Sequence, residues 1–206
     1  MKKVHATWRE WVNLWLVRLG IRRTLPAVWI NAVEVRDCGE GLVPWRSGAL
    51  VRSGVSARLY TAERMLPPGF SLDVKSGWRG SSEQAVLRRN ALRGGVRAAD
   101  LGKAVAGRSG HATGGAVDVV LLENGAACDM GGEYLDFGKA GDDVHMTKAQ
   151  RYRRALLRRA MRKAGFVNYP FEWWHFSYGD RMWAAYALAR YAIYGEINND
   201  IREREM

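Results

Sequence analysis

The segment Ala116-Val117-Asp118-Val119-Val120-Leu121-Leu122 restricts the fold more than any other stretch of the chain. A short apolar run rich in β-branched residues, preceded by Gly114-Gly115 and followed by a Gly-rich loop through Gly125, Gly131 and Gly132, reads as a buried strand. Such a strand carries a carboxylate at its third position. Burying an unpaired charge is costly, so Asp118 requires a compensating partner, and a metal ion is one good candidate. Gly114 and Gly115 let the chain fold back, so that His111, seven positions earlier, can meet Asp118. Taken alone, a histidine beside a Gly-rich strand is more often a structural residue than a ligand, and only together with Asp118 and the two glycines do the two readings balance.

A second pair, Glu172 and His175 in Glu172-Trp173-Trp174-His175-Phe176, has an aromatic setting that includes Tyr169, Phe171 and Tyr178. Residues three apart in a regular strand point to opposite faces, so Glu172 is expected on the approach to a strand or at a bulge. A poorly solvated carboxylate there suits acid/base work. A salt bridge from Glu172 to one of many arginines is the simpler alternative. Together the two stretches contain two imidazoles and a carboxylate for a metal, with a further carboxylate to take a proton from a water in the open position.

The rest of the chain frames this site. A length of 206 residues with 48% hydrophobic content fits one domain, or one domain with a small appendage. Lys and Arg number 32 against 21 Asp and Glu, a formal charge of +11 that favours anionic partners without choosing among them. The arginines are scattered and no nucleic-acid-binding motif is visible, so a solvated basic surface is expected and nucleic acid is not. Cys38 and Cys128 form no disulfide framework and lack paired metal-ligand spacing. Charged residues interrupt the N-terminal segment and no apolar run reaches the length of a membrane span, so a soluble, cytoplasmic protein is expected.

Thr7-Trp8-Arg9-Glu10 has capping-box form and is followed by a tryptophan stripe at Trp8, Trp11 and Trp15, giving an amphipathic helix that either docks on the domain or meets a membrane surface or partner. Residues 1–25 are therefore read as an appendage and 26–206 as the main domain. Residues 27–36 are expected as a strand and 39–58 as a loop. Phe70–Lys75 alternates as a half-buried strand, and Ser81 opens a helix to about Arg93. Thr147-Lys148-Ala149-Gln150 is another capping box, starting a helix that Gly165 closes, with Arg151, Arg154, Arg158 and Arg162 mainly on its solvated face. Phe171–Tyr178 is the last expected strand, and a further helix starts near Arg181. Strands and helices in this irregular order indicate an α+β fold.

Ser109-x-His111-x-x-Gly114-x-Ala116-x-Asp118 followed by Glu172-Trp173-Trp174-His175-Phe176 resembles the zinc D-alanyl-D-alanine dipeptidases of the VanX type, within the zinc D,D-peptidases. The resemblance runs from about Glu34 to Gly195 and includes Ser76-Gly77-Trp78-Arg79, the Met130-Gly131 turn and Arg153–Phe166. It implies a central antiparallel sheet flanked by helices with a zinc site at the sheet. It also implies one zinc per chain on His111, Asp118 and His175, Glu172 as general base, and Arg79 stabilising the transition state. Ser109 becomes a substrate contact, and the substrate a small D-dipeptide. The family's acidic residue for the substrate ammonium corresponds to Asp136, displaced here by one position, and Gly80-Ser81 stands where the family has a proline. A D,D-carboxypeptidase or endopeptidase cutting longer wall peptides would use the same residues. A zinc-bearing binding module without turnover would need neither Glu172 nor Arg79.

Overall fold

The computed structural model describes residues 25–93, 109–137, 139, 141 and 145–197. The expected N-terminal amphipathic helix, and with it all but the last residue of the proposed 1–25 appendage, lies outside them.

The described chain begins with a short helix, α1 (Ala27–Ala32), and a two-stranded hairpin, β1 (Leu42–Pro44) and β2 (Leu50–Arg52). Helix α2 (Ser53–Glu63) leads into β3 (Phe70–Ser76), and α3 (Ser81–Arg93) follows. A single 3-10 turn, Gly110–Thr113, precedes β4 (Ala116–Glu123) and the short β5 (Ala126–Ala127). Helix α4 (Lys148–Lys163), β6 (Val167–Asn168), β7 (His175–Ser177) and α5 (Arg181–Ala187) complete the order. The main sheet runs β3-β4-β7-β6 with β5 paired to β4, and every pairing in it is antiparallel. The α+β architecture expected from the sequence is the one observed.

β4 sits in the middle of this sheet and is buried on both faces, from Ala116 through Leu121. Val117, Val119 and Leu121 join Leu59 of α2, Leu157 and Met161 of α4, and Trp173, Trp174 and Phe176 in one core. α4 forms where the capping box was expected: Thr147 accepts from the Gln150 amide, and the Gln150 side chain accepts from the Thr147 amide. No helix among the described residues is long and apolar enough to cross a membrane.

Three expectations need correction. Residues 27–36 hold α1 rather than a strand. Pro26 precedes its first turn, α1 packs against α5, and only Val35 finds a strand-like partner, in a single parallel bridge to Ala192. Packing against α5 outweighed the local β-branched content. Residues 39–58, read as a loop, contain the β1–β2 hairpin and the first half of α2. The burial that stabilises α2 comes from Val55, Leu59 and Ala62, a helical spacing that extends beyond residue 58. Finally, β7 begins only at His175, so residues 171–174 form the turn leading into it.

Gly77, just past β3, has no room for a side chain: a Cβ there would lie 2.2 Å from the Leu50 carbonyl oxygen of β2. A backbone oxygen cannot swing aside as a side chain can. Gly77→Ala is expected to lower unfolding stability by about 1–3 kcal/mol, the range for overpacking a tight site. Urea denaturation checks this, and an unchanged midpoint would show that the hairpin yields freely.

Candidate metal centre

Asp118 lies where β4 is flanked on both sides, in register with Ser76 of β3 and with His175 of β7. Directly opposed residues of an antiparallel pair share a face with Cβ atoms about 5 Å apart, so pairing alone sets His175 beside Asp118. His111 arrives from the 3-10 turn. Ser109 caps that turn by accepting from the His111 amide at 3.3 Å, and Gly114 closes it with φ 71°, in the left-handed region that favours glycine. Arg52 fastens the turn from below: its Nε donates to the Thr113 carbonyl at 2.8 Å, and its amide donates to the Gly114 carbonyl at 3.0 Å.

The three side chains converge. His111 Nε2 lies 3.2 Å from His175 Nδ1 and 3.2 Å from Asp118 Oδ1, and His175 Nδ1 lies 3.0 Å from the same oxygen. Tetrahedral zinc with bonds of about 2.0–2.2 Å holds its ligand atoms roughly 3.3–3.5 Å apart, so this triangle needs only a slight expansion to take the ion. The tautomer also fits. His111 Nδ1 donates to the Gly77 carbonyl at 2.6 Å, which leaves the lone pair of Nε2 facing the triangle. His111, Asp118 and His175 thus form a group able to hold a metal ion.

The charges suit that task. His111 is fully buried, and burial pulls its pKa down to about 4, keeping the ring neutral. Burial alone would raise Asp118, but the facing His111 and His175 hold it well below the ordinary range, so the carboxylate is ionised. Burial lowers His175, yet its hydrogen bond to Asp118 and the charges of Asp118 and Glu172 together outweigh this and leave its pKa raised. A cation entering the triangle would compete with a proton for that ring nitrogen, as metal binding to histidine generally does.

Glu172 stands beside the triangle rather than in it, with Oε2 3.9 Å from His175 Nδ1. It belongs to the turn before β7, where its amide donates to the Tyr169 carbonyl and the His175 amide donates back to the Glu172 carbonyl. Asn168 of β6 locks this turn, its side-chain nitrogen donating to the carbonyls of Glu172 and His175 at 3.0 and 2.9 Å. Burial, reinforced by the Asp118 charge, pushes the Glu172 pKa up to about 8 in the metal-free protein despite the opposing pull of His175 and Arg79. A nearby cation would draw it back down.

Arg79 follows β3 and precedes α3. Its amide donates to the His111 carbonyl at 3.2 Å, and its Nη2 lies 3.6 Å from Asp118 Oδ2, beyond hydrogen-bonding distance. The buried Nε of Arg79 has no hydrogen-bond partner among the described residues, so the side chain keeps a donor in reserve. Asp136 is half-buried in the loop after β5, its amide donating to the Glu133 carbonyl.

Two further residues were missed in the sequence. Tyr134, from the same loop as Asp136, donates its hydroxyl to Asp118 Oδ2 at 3.1 Å, and burial together with the facing carboxylate raises its pKa and keeps the phenol protonated. Arg154, expected on a solvated face, is buried and donates to the carbonyls of Met130, Lys139 and Gly141, tying down both sides of that loop. The helical period of α4 carried the signal for Arg154, since the position lies three residues before Leu157. Nothing local marked Tyr134.

Comparison with known proteins gives this geometry a family. A curated D-alanyl-D-alanine dipeptidase of Synechocystis sp. is 40% identical over 88 residues, 36% of this chain and 36% of that protein. One from Streptomyces coelicolor is 38% identical over 77 residues, 35% of this chain and 38% of that protein. These matches span little more than a third of the relatives' length. Among solved structures, the vancomycin resistance D,D-dipeptidase VanXYg in complex with a D-Ala-D-Ala phosphinate analog is 22% identical, with a TM-score of 0.48, covering 69% of this chain and 57% of that one. The model of the peptidase M15 family, described as D-ala-D-ala dipeptidase, matches residues 73–193, which hold the triangle, Glu172 and Arg79, and the chain belongs to that family.

Proposed function

We propose that the protein hydrolyses D-alanyl-D-alanine or a related D-dipeptide, using one zinc ion per chain held by His111, Asp118 and His175. The observation that carries this reading is the triangle of ligand atoms, whose edges of 3.0 to 3.2 Å approach those of a tetrahedral zinc site. The substrate class follows from the family and from the names of the curated relatives. Zinc, when bound there, supplies a Lewis acid and lowers the pKa of a coordinated water towards about 7.

The remaining work falls to the chain. Glu172, held in a dry turn, accepts the proton of the attacking water as its oxygen joins the carbonyl carbon of the peptide bond. It returns that proton to the nitrogen as the carbon–nitrogen bond breaks. Arg79 offers its uncommitted donor to the charge that develops on the carbonyl oxygen. We assign the substrate ammonium to Asp136 and a further substrate contact to Ser109, whose Oγ accepts from His111 and still has its own proton to donate. The peptidase unit is assigned to residues 26–206, acting in the cytoplasm.

The zinc-loaded protein is expected to release D-alanine from D-Ala-D-Ala. Glu172→Gln should keep the zinc and lower kcat by at least about a hundredfold, the scale of a lost general base. Substantial turnover in that variant would sink the assignment of Glu172. Activity on a tripeptide or muropeptide but not on the dipeptide would move the reading to a carboxypeptidase or endopeptidase.

Zinc should also stabilise the fold, by about 2.7 kcal/mol at a hundredfold excess over Kd. His111→Ala should abolish that gain, since a lost ligand uncouples metal from folding. Thermal unfolding with and without zinc measures both, and an equal gain in the variant would remove His111 from the ligand set.

A further inference from the structure

We infer that Tyr134 is a positioning residue of this site: its hydroxyl holds Oδ2 of Asp118 so that Oδ1 faces the metal and Arg79 stays available to the substrate. The inference rests on the reading that His111, Asp118 and His175 hold zinc.

The two oxygens of Asp118 have different neighbours. Oδ1 faces both imidazoles, whereas Oδ2 accepts from the Tyr134 hydroxyl at 3.1 Å and lies 3.6 Å from Arg79 Nη2. Carboxylates bind cations through one oxygen or both, and the choice changes the metal's coordination and acidity. A donor fixed on Oδ2 resists rotation of the carboxylate and commits Oδ1 to the ion. The donor here is a neutral phenol, so it orients Asp118 without cancelling the negative charge that attracts the metal.

The loop presents this hydroxyl from a constrained backbone. Tyr134 packs edge-on against Trp174 with ring centroids 5.8 Å apart, and Phe137 packs against the same indole at 5.8 Å. Arg154 binds the carbonyls of Met130 and Lys139 on either side, at 2.7 and 2.9 Å. Leu135, next to Tyr134, holds φ 69°, a conformation that a non-glycine residue keeps only where its surroundings over-determine it. That backbone cost is located at the residue adjoining the one that touches the metal ligand.

Arg79 makes the hydroxyl matter to turnover as well as to metal. Among the described residues its guanidinium is a second donor group facing Oδ2, and it stands just out of hydrogen-bonding range. Without the phenol, Arg79 can close on Oδ2 and be drawn away from the substrate, which lowers transition-state stabilisation more than ground-state binding.

The test is Tyr134→Phe, which keeps the ring against Trp174 and removes only the hydroxyl. Zinc affinity is measured by competition with a chromophoric chelator, and the cobalt(II)-substituted protein is read by its visible absorption. Affinity is expected to fall about tenfold to a hundredfold, the range for losing an outer partner of a metal ligand, with an altered cobalt spectrum. kcat should fall with KM little changed. Phe137→Leu, which loosens the same loop without touching Asp118, should leave metal affinity and cobalt spectrum as they were. Zinc binding and cobalt absorption unchanged in Tyr134→Phe would overturn the inference, as would an equal loss in Phe137→Leu, which would make loop packing the cause. Absence of zinc binding by the unsubstituted protein would overturn the metal reading, and this inference with it.

Discussion

A carboxylate placed in the middle of a buried central strand is the condition to which the rest of the molecule responds. Asp118 is almost completely removed from water, and an isolated charge there would be untenable. Its surroundings answer with two imidazoles on one oxygen and a phenol and a guanidinium near the other. Four separate stretches of chain supply these groups: the 3-10 turn, β7, the loop after β5, and the end of β3. Compensation of one charge therefore organises the ends of several elements around a single point, and that point is where a cation can bind.

Backbone carbonyls hold the supports in place. His111 is aimed by the Gly77 carbonyl, its turn is fastened by Arg52, the Glu172 turn by Asn168, and the Tyr134 loop by Arg154. Arg52 and Arg154 are both buried and bond mainly to main-chain oxygens. Guanidinium suits this use because its fork of donors can satisfy several acceptors at once. Part of the chain's positive charge is thus spent inside the protein, fixing loops. The formal charge of +11 consequently says less about anionic partners than its size suggests.

The parts of this design that were legible in sequence are those with local rules. β4 announced itself by a β-branched run, α4 by a capping box and an apolar face, and Asp118 by being a charge where none belongs. Glu172 was expected to leave the strand face because residues three apart cannot share one, and it lies in the turn before β7. The losses came where distant contacts decide the outcome. α1 exists because α5 offers a surface, α2 because its apolar positions meet β3 and α4, and Arg154 is buried because the loop carbonyls need donors. Tyr134 shows the same limit within the site. Its meeting with Asp118 depends on the path of a loop with no periodicity to read.

Arg79 differs from the other buried arginines in one respect. Where Arg52 and Arg154 bond to carbonyls, Arg79 keeps a buried Nε without a partner among the described residues and stands 3.6 Å from Asp118. Leaving a buried donor unpaired costs about 1–3 kcal/mol. That cost is not unique to Arg79, since the buried indole nitrogen of Trp173 bears it in the core, but at a guanidinium beside Asp118 it has a use. It makes sense where the missing acceptor arrives with the substrate and grows more negative as the reaction proceeds. On the proposed reading, the ground state bears the deficit and the transition state relieves it. Standing 3.6 Å from Asp118 rather than hydrogen-bonded to it, the guanidinium keeps donors that, on the proposed reading, turn to the reacting carbonyl oxygen.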